Sequence, residues 1–191
     1  GWLDLRNKLN NAPYTRVYDL QNNDRTAFYL KLFSSKPEWV GAAPGASHRN
    51  ISPERTAGRA FDGHVQTLAL AGIKNVTIDR LDWMQGRSNF QGLAKPYVLI
   101  VPGSAPAHLE KRWPVTHYSN FCSRLIARGA QPVLIGGEGE ADTLATIQDS
   151  VPGTLNLCGQ TNLFDLAALA RHAAGALGND TGPMHLIAPT G

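Results

Sequence analysis

Hydrophobic positions along this chain follow two periods. In the C-terminal half, residues 97–101, 132–135, 154–157 and 175–177 form short apolar runs, as strands buried on both faces of a parallel sheet do. Between them the spacing turns helical. Tyr118, Phe121, Cys122, Leu125 and Ile126 share one face and stop at Gly129. Leu163, Leu166, Ala167, Leu169 and Ala170 do the same behind an expected cap at Asn162, with Asp165 three residues on. Strands and helices alternating through short loops predict an α/β domain whose parallel sheet is covered on both faces and takes ligands at the carboxyl ends of its strands.

The N-terminal half repeats the scheme less cleanly. A helix over 2–9, a strand over 15–20, a helix over 24–33, a strand over 39–43 and a helix over 53–71, ending at Gly72, are predicted there. Residues 76–95 carry neither period and scatter polar, Gly and Pro residues, which predicts a linker. The chain therefore divides into an N-terminal domain over 1–75, the linker over 76–95, and a second domain over 96–191.

Composition narrows the function class. With 42% hydrophobic and 17% charged residues, and no apolar run long enough to span a bilayer or act as a signal peptide, the chain fits a soluble enzyme. A formal charge of +3 is too small, without a nucleic-acid motif, to argue for DNA or RNA. It suits an anionic substrate or a stay near anionic lipid. Cys122 and Cys158 sit among apolar neighbours outside any metal-ligand spacing, so buried, reduced thiols and a cytosolic setting are expected. No G-x-G-x-x-G follows a strand, which disfavours a nicotinamide-dependent dehydrogenase.

Candidate chemistry concentrates in the run Leu177-Gly178-Asn179-Asp180-Thr181-Gly182-Pro183-Met184-His185. It reads as a buried strand entering a helix. Asp180 and Thr181 are placed to cap, Gly182 lets a ligand approach the backbone, and Pro183 suits the first helical turn. Free amides and the positive end of the helix dipole favour phosphate, with His185 in the same turn; the plain alternative is a well-capped helix. Pro189 should end this helix within two turns.

Upstream lie Val101-Pro102-Gly103-Ser104, then Lys111-Arg112-Trp113-Pro114, then Gly136-Gly137-Glu138-Gly139-Glu140. These motifs, in this order with the Asn-Asp-Thr-Gly-Pro-Met-His run, resemble the family-9 glycosyltransferases, the lipopolysaccharide heptosyltransferases. The resemblance covers 97–191 well and 16–73 loosely. It implies a GT-B type fold, two Rossmann-like parallel-sheet domains facing a cleft, with the acceptor side in 1–75 and the nucleotide sugar in 96–191.

The activity implied is inverting transfer of heptose from ADP-heptose to a lipopolysaccharide core acceptor, with no metal and no cofactor. The setting implied is the cytoplasmic face of the inner membrane, as a peripheral protein. Another nucleotide sugar, or nucleotide-sugar binding without catalysis, are the competing readings. Family members open with a strand and a Gly-rich loop carrying an Asp thought to be the base. No such loop precedes Trp2, so the chain is expected to be incomplete at both ends, with the base upstream of it.

The resemblance also implies site residues. Lys111 would stabilise the leaving diphosphate, although lysines are mostly solvated. Ser104 aligns with a hydroxyl beside the phosphates, or simply forms a turn. Glu140 would accept from the ribose, with Glu138 as competitor and an exposed acidic helix start as the plain alternative. Thr161 would line the adenine through its backbone. Asp180 caps its own turn or accepts from sugar hydroxyls; Thr181 and Gly182 form the phosphate turn; His185 donates to phosphate or sugar, or packs on the sheet. Trp113 and Pro114 begin and brace the next helix, and Arg112 has no assigned role. On the acceptor side Asp19, Gln21 and Arg25 sit between a strand end and a helix start, where Arg25 suits an acceptor phosphate or carboxylate, a solvated face being the alternative.

Overall fold

The computed structural model describes residues 1–104 and 112–191. Two compact units divide at Thr77 and Ile78. Residues 78–95, most of the stretch expected to be a linker, belong to the second unit and carry no helix or strand.

The first unit holds a parallel three-stranded sheet of β1 (Arg16–Tyr18), β2 (Glu38–Gly41) and β3 (His48–Arg49) in that order. Helix α1 (Trp2–Asn10) buries none of its residues. Helix α2 (Asp24–Tyr29) opens on a capping box in which Asn23 and Thr26 bond reciprocally, and continues as a 3-10 turn over Leu30–Leu32. Leu30, Phe33, Trp39 and Ala43 form its core.

Two departures from the sequence reading have physical causes. The helix expected over 53–71 is interrupted: a 3-10 turn over Pro53–Arg55 precedes α3 (Ala60–Ala69). The chain folds back so that the Arg55 carbonyl lies where a Cβ on Gly63 would be, 2.1 Å away, and only glycine admits it. Strand β3 escapes periodicity because two polar residues have no pattern.

In the second unit β4 (Tyr97–Val101), β5 (Gln131–Leu134), β6 (Leu155–Asn156) and β7 (Gly175–Gly178) run parallel in the order β6-β5-β4-β7. Alternation along β4 decides which side chain meets which layer. Tyr97, Leu99 and Val101 join the cluster that includes Leu166, Leu169 and Ala170 of α6 (Leu163–His172) and Ile187 of α7 (Gly182–Ile187). Ile100 points the other way, into Tyr118 and Cys122 of α4 (Val115–Ala127) and Leu144 and Ile147 of α5 (Ala141–Ser150). The sheet is thus covered on both faces, as its near-continuous apolar strands require. Burial pushes the Cys122 thiol up to about 11, so it packs as a neutral group.

Residues 78–95 are tied to α6 by two arginines. Arg171 of α6 donates to the carbonyls of Leu81 and Met84 at 3.0 and 2.6 Å. Arg87 closes a charged fork on buried Asp165 at 2.7 Å and also donates to the Gln160 carbonyl at 2.8 Å. Asp165 further accepts from the backbone amides of Arg87 and Asn162, while the Asn162 side chain accepts from the Asp165 amide as the helix cap. Gly86 lies against the Phe164 carbonyl so closely that a Cβ would sit 2.4 Å from its oxygen.

The Arg87 guanidinium, aided by these amides, holds the Asp165 carboxyl below the usual carboxylate range. A carboxyl depressed on folding stabilises fully above its unfolded value, about 4, and loses that contribution as pH falls through its lower folded value. D165N should therefore unfold in urea about 1–3 kcal/mol more easily at pH 7, because the charged partner of Arg87 is gone. The gap from wild type should hold down to about pH 5 and narrow below about pH 4, which a urea series across pH measures.

Candidate functional site

The strand order makes β4 the switch point. From β4 the chain moves to β5 on one side, and β7 returns to pair on the other. Connections leaving neighbouring strands at such a point diverge and leave a crevice beyond the carboxyl ends. A cavity of about 600 Å³ occupies that edge, within the range of small-ligand sites. Gly103 and Ser104 reach it after β4, Gly137 and Glu140 after β5, Gly159 and Thr161 after β6, and Thr181 and Gly182 after β7. Ile135, Leu163 and Leu166 give it an apolar wall.

Asn179 holds the crevice together. Its amide nitrogen donates to the carbonyls of Pro102 and Gly103 at 2.8 and 3.0 Å, joining the ends of β7 and β4. Its oxygen accepts from the Tyr118 hydroxyl at 3.1 Å, which burial keeps neutral by raising its pKa. The two chain ends also lie too close for a side chain at Gly178, whose Cβ would meet the Val101 carbonyl oxygen at 2.8 Å.

Glu140 enters the cavity from a 3-10 turn over Glu138–Glu140. One carboxylate oxygen accepts from the Gly137 amide at 3.0 Å. Its side chain lies flat over Gly103, where a Cβ would come within 3.0 Å of it, and its own Cβ presses on Gly136. Glu138 is exposed and lies outside the lining, so of the two carboxylates it is Glu140 that faces the cavity.

Arg112 is the residue sequence reasoning left without a role. It donates to the Ser104 hydroxyl at 2.8 Å and the Ser104 carbonyl at 2.7 Å, and its guanidinium stands 3.9 Å from Glu140. Its place between a lysine and a Trp-Pro pair was the only signal, and nothing in that run says which side chain it meets. Trp113 packs its ring on His117 and Tyr118, and Pro114 caps α4. Lys111 lies outside the described residues.

In the turn after β7, Thr181 is the N-cap residue of α7, without a side-chain capping bond, and its hydroxyl donates to the Asn179 carbonyl at 3.3 Å. Gly182 has open space where a Cβ would be. Asp180 and His185 pair with each other at 3.1 Å, both exposed and both outside the cavity lining. Helix α7 ends at Ile187 and passes into a 3-10 turn containing Pro189, the early stop that proline predicts.

The acceptor-side candidates lie in the first unit. Asp19 follows β1 and is buried, with one oxygen accepting from the Asn22 amide at 2.9 Å and the chain of Gly41 packed against its Cβ. Gln21 and Arg25 are exposed. Asn22, missed in the sequence, adopts a left-handed φ of 51° and accepts from the Ala42 amide at 2.7 Å, tying the ends of β1 and β2. Among the described residues no group of His, Cys, Asp and Glu is placed to hold a metal ion.

A doubly covered parallel sheet with a largely apolar, glycine-lined cavity at its switch point is the arrangement in which α/β proteins take small ligands. Residues 60–190 match the model of glycosyltransferase family 9 (heptosyltransferase), and the chain belongs to that family. It is 33% identical over 210 aligned residues to lipopolysaccharide heptosyltransferase 2 of Escherichia coli K12, covering 96% of this chain and 59% of that protein. It is 32% identical over 101 residues to lipooligosaccharide heptosyltransferase 2 of Haemophilus influenzae, covering 49% and 28%.

Among solved structures, the family-9 glycosyl transferase of Veillonella parvula superposes with a TM-score of 0.71 at 20% identity, over all of this chain and 59% of that one. An E. coli heptosyltransferase solved with ADP does so with a TM-score of 0.69 at 18% identity, over 99% and 62%. The fold they share is the GT-B type, mixed α/β on parallel sheets. The chain spans at most about six tenths of the length of these relatives.

Removing the Asn179 side chain takes away the donor that the carbonyls of Pro102 and Gly103 share and one of the partners of the Tyr118 hydroxyl. N179A should lower stability by about 1–3 kcal/mol in urea unfolding, the cost of leaving buried polar groups unpaired. N179D keeps the shape and the acceptor for Tyr118 but turns a donor toward two carbonyls into another acceptor, so it should be no more stable than N179A.

Proposed function

We propose that this chain is part of a heptosyltransferase that moves heptose from ADP-heptose to a lipopolysaccharide core acceptor with inversion, and that its second unit binds the donor. The observation that carries it is the gathering of Ser104, Glu140, Thr161, Thr181 and Gly182 on one cavity within the family-matched region. Support for the donor comes from the related heptosyltransferase solved with ADP.

Each wall suits one part of that donor. Ile135, Leu163 and Leu166 offer apolar surface to a purine, and Thr161 sits in the loop beside them. Glu140 accepts from ribose hydroxyls. The Ser104 turn and the Thr181–Gly182 turn, on either side of the β4–β7 crevice, receive the diphosphate, and Gly182 leaves its amide approachable. Departure of ADP from the anomeric carbon builds negative charge on the β-phosphate. A cation fixed beside it lowers that barrier, and Lys111 is assigned that task from its motif.

Inversion follows from a single displacement, the acceptor hydroxyl attacking the face opposite the leaving diphosphate. We place the protein as a peripheral one at the cytoplasmic face of the inner membrane, on the support of its +3 charge and a lipopolysaccharide acceptor. Asp19, Gln21 and Arg25 are the residues proposed to meet that acceptor, Arg25 through an anionic group.

Calorimetry distinguishes the donor. ADP should bind more tightly than AMP, which lacks one phosphate, and than UDP, which lacks the purine; equal affinity for UDP would instead point to another nucleotide sugar. K111A should weaken ADP about tenfold or more and leave adenosine binding unchanged, since a charge-assisted bond to phosphate is worth about 1.5–3 kcal/mol. Equal losses for both ligands would remove Lys111 from the diphosphate.

A further inference from the structure

We infer that Arg112 is a positioning residue that sets Ser104 and Glu140 in one register, so that the carboxylate reading the ribose and the turn reading the diphosphate act as a unit. This rests on the nucleotide reading of the cavity. Ser104 and Glu140 reach the cavity from different strands, β4 and β5, and the Glu140 side chain passes over Gly103 beside Ser104. Arg112 spans them.

The geometry uses the planar fork of a guanidinium. Nε donates to the Ser104 hydroxyl at 2.8 Å and one terminal nitrogen donates to the Ser104 carbonyl at 2.7 Å. That same terminal nitrogen faces Glu140 Oε1 at 3.9 Å, an ion-pair distance rather than a close bond. Glu140 Oε2 is held from the opposite side by the Gly137 amide at 3.0 Å. One carboxylate oxygen is therefore drawn by charge and the other by an amide, which sets the plane of the group. A carboxylate has further acceptor sites beyond these two contacts, and they suit hydroxyls.

Both side chains are about three-quarters shielded from solvent, at 25% and 23% exposure, so the attraction is screened less than at an open surface. Ammonium cannot reproduce it. A lysine is a point charge that can donate to the Ser104 carbonyl or approach Glu140, but has no rigid plane to satisfy hydroxyl and carbonyl while facing the carboxylate.

The test compares ADP with 2′-deoxy-ADP by calorimetry on the full chain, in wild type, R112Q, R112K, E140Q and the R112Q/E140Q pair, each checked by thermal melting. Wild type should favour ADP about tenfold or more, the worth of one hydrogen bond to a charged group. R112Q and E140Q should each cut this preference to about twofold or less, R112K should leave it below half the wild-type value, and the double variant should lose no more than either single one. A merely structural Arg112 would weaken both ligands equally and leave the ratio intact, which overturns the inference, as would additive losses in the double variant. If R112Q melts early, R112K decides by the same ratio. Absence of any ADP binding to wild type would overturn the nucleotide reading itself, whereas ADP binding without ribose discrimination would overturn only the role given to Glu140 and Arg112.

Discussion

The second unit depends on how the carboxyl ends of β4 and β7 are joined. Parallel pairing brings the strands together up to Val101 and Gly178, but their outgoing connections lead to opposite faces of the sheet. Among the described residues it is Asn179 that donates to the part-buried carbonyls at 102 and 103, and this tie sets the separation of the two loops. Asn179 supplies both donors from a single side chain, and Tyr118 fixes which end of its amide points where. The same contact satisfies polar groups and spaces the walls of the cavity.

Around that tie the unit separates what packs from what binds. Apolar side chains leave both faces of the sheet and are covered by helices, so the sheet interior carries no chemistry. Polar groups collect at the strand ends, where glycines let chains and side chains come close: Glu140 lies over Gly103 and against Gly136 because neither has a Cβ. The irregular stretch 78–95 extends this support. Arg87 grips Asp165 and the Gln160 carbonyl together, which anchors the loop that brings Thr161 to the cavity. A charge partly buried beside a helix cap thus serves both stability and the shape of the site.

Much of this was legible in the residues. Strands 97–101 and 132–135 and the helix behind Asn162 announce themselves because a strand covered on both faces must be apolar throughout, and because a capping box has a local spacing. The family resemblance singled out Ser104, Glu140, Thr161, Thr181 and Gly182, and because their motifs follow strands of one parallel sheet, whose ends share an edge, they meet on one cavity.

Other features were set by partners distant in sequence. That Asp180 and His185 pair with each other rather than line the cavity depends on side-chain direction in a short turn, which a motif does not encode. Arg112 has meaning only through Ser104 and Glu140, Asn179 only through the carbonyls of residues 77 and 76 positions earlier, and Gly63 only through the Arg55 carbonyl that the returning chain lays against it. Local periodicity and capping, which act within a turn or two, were determined by the sequence itself. Long-range hydrogen bonds and close approaches were decided by the tertiary structure, because they exist only after the layers have packed.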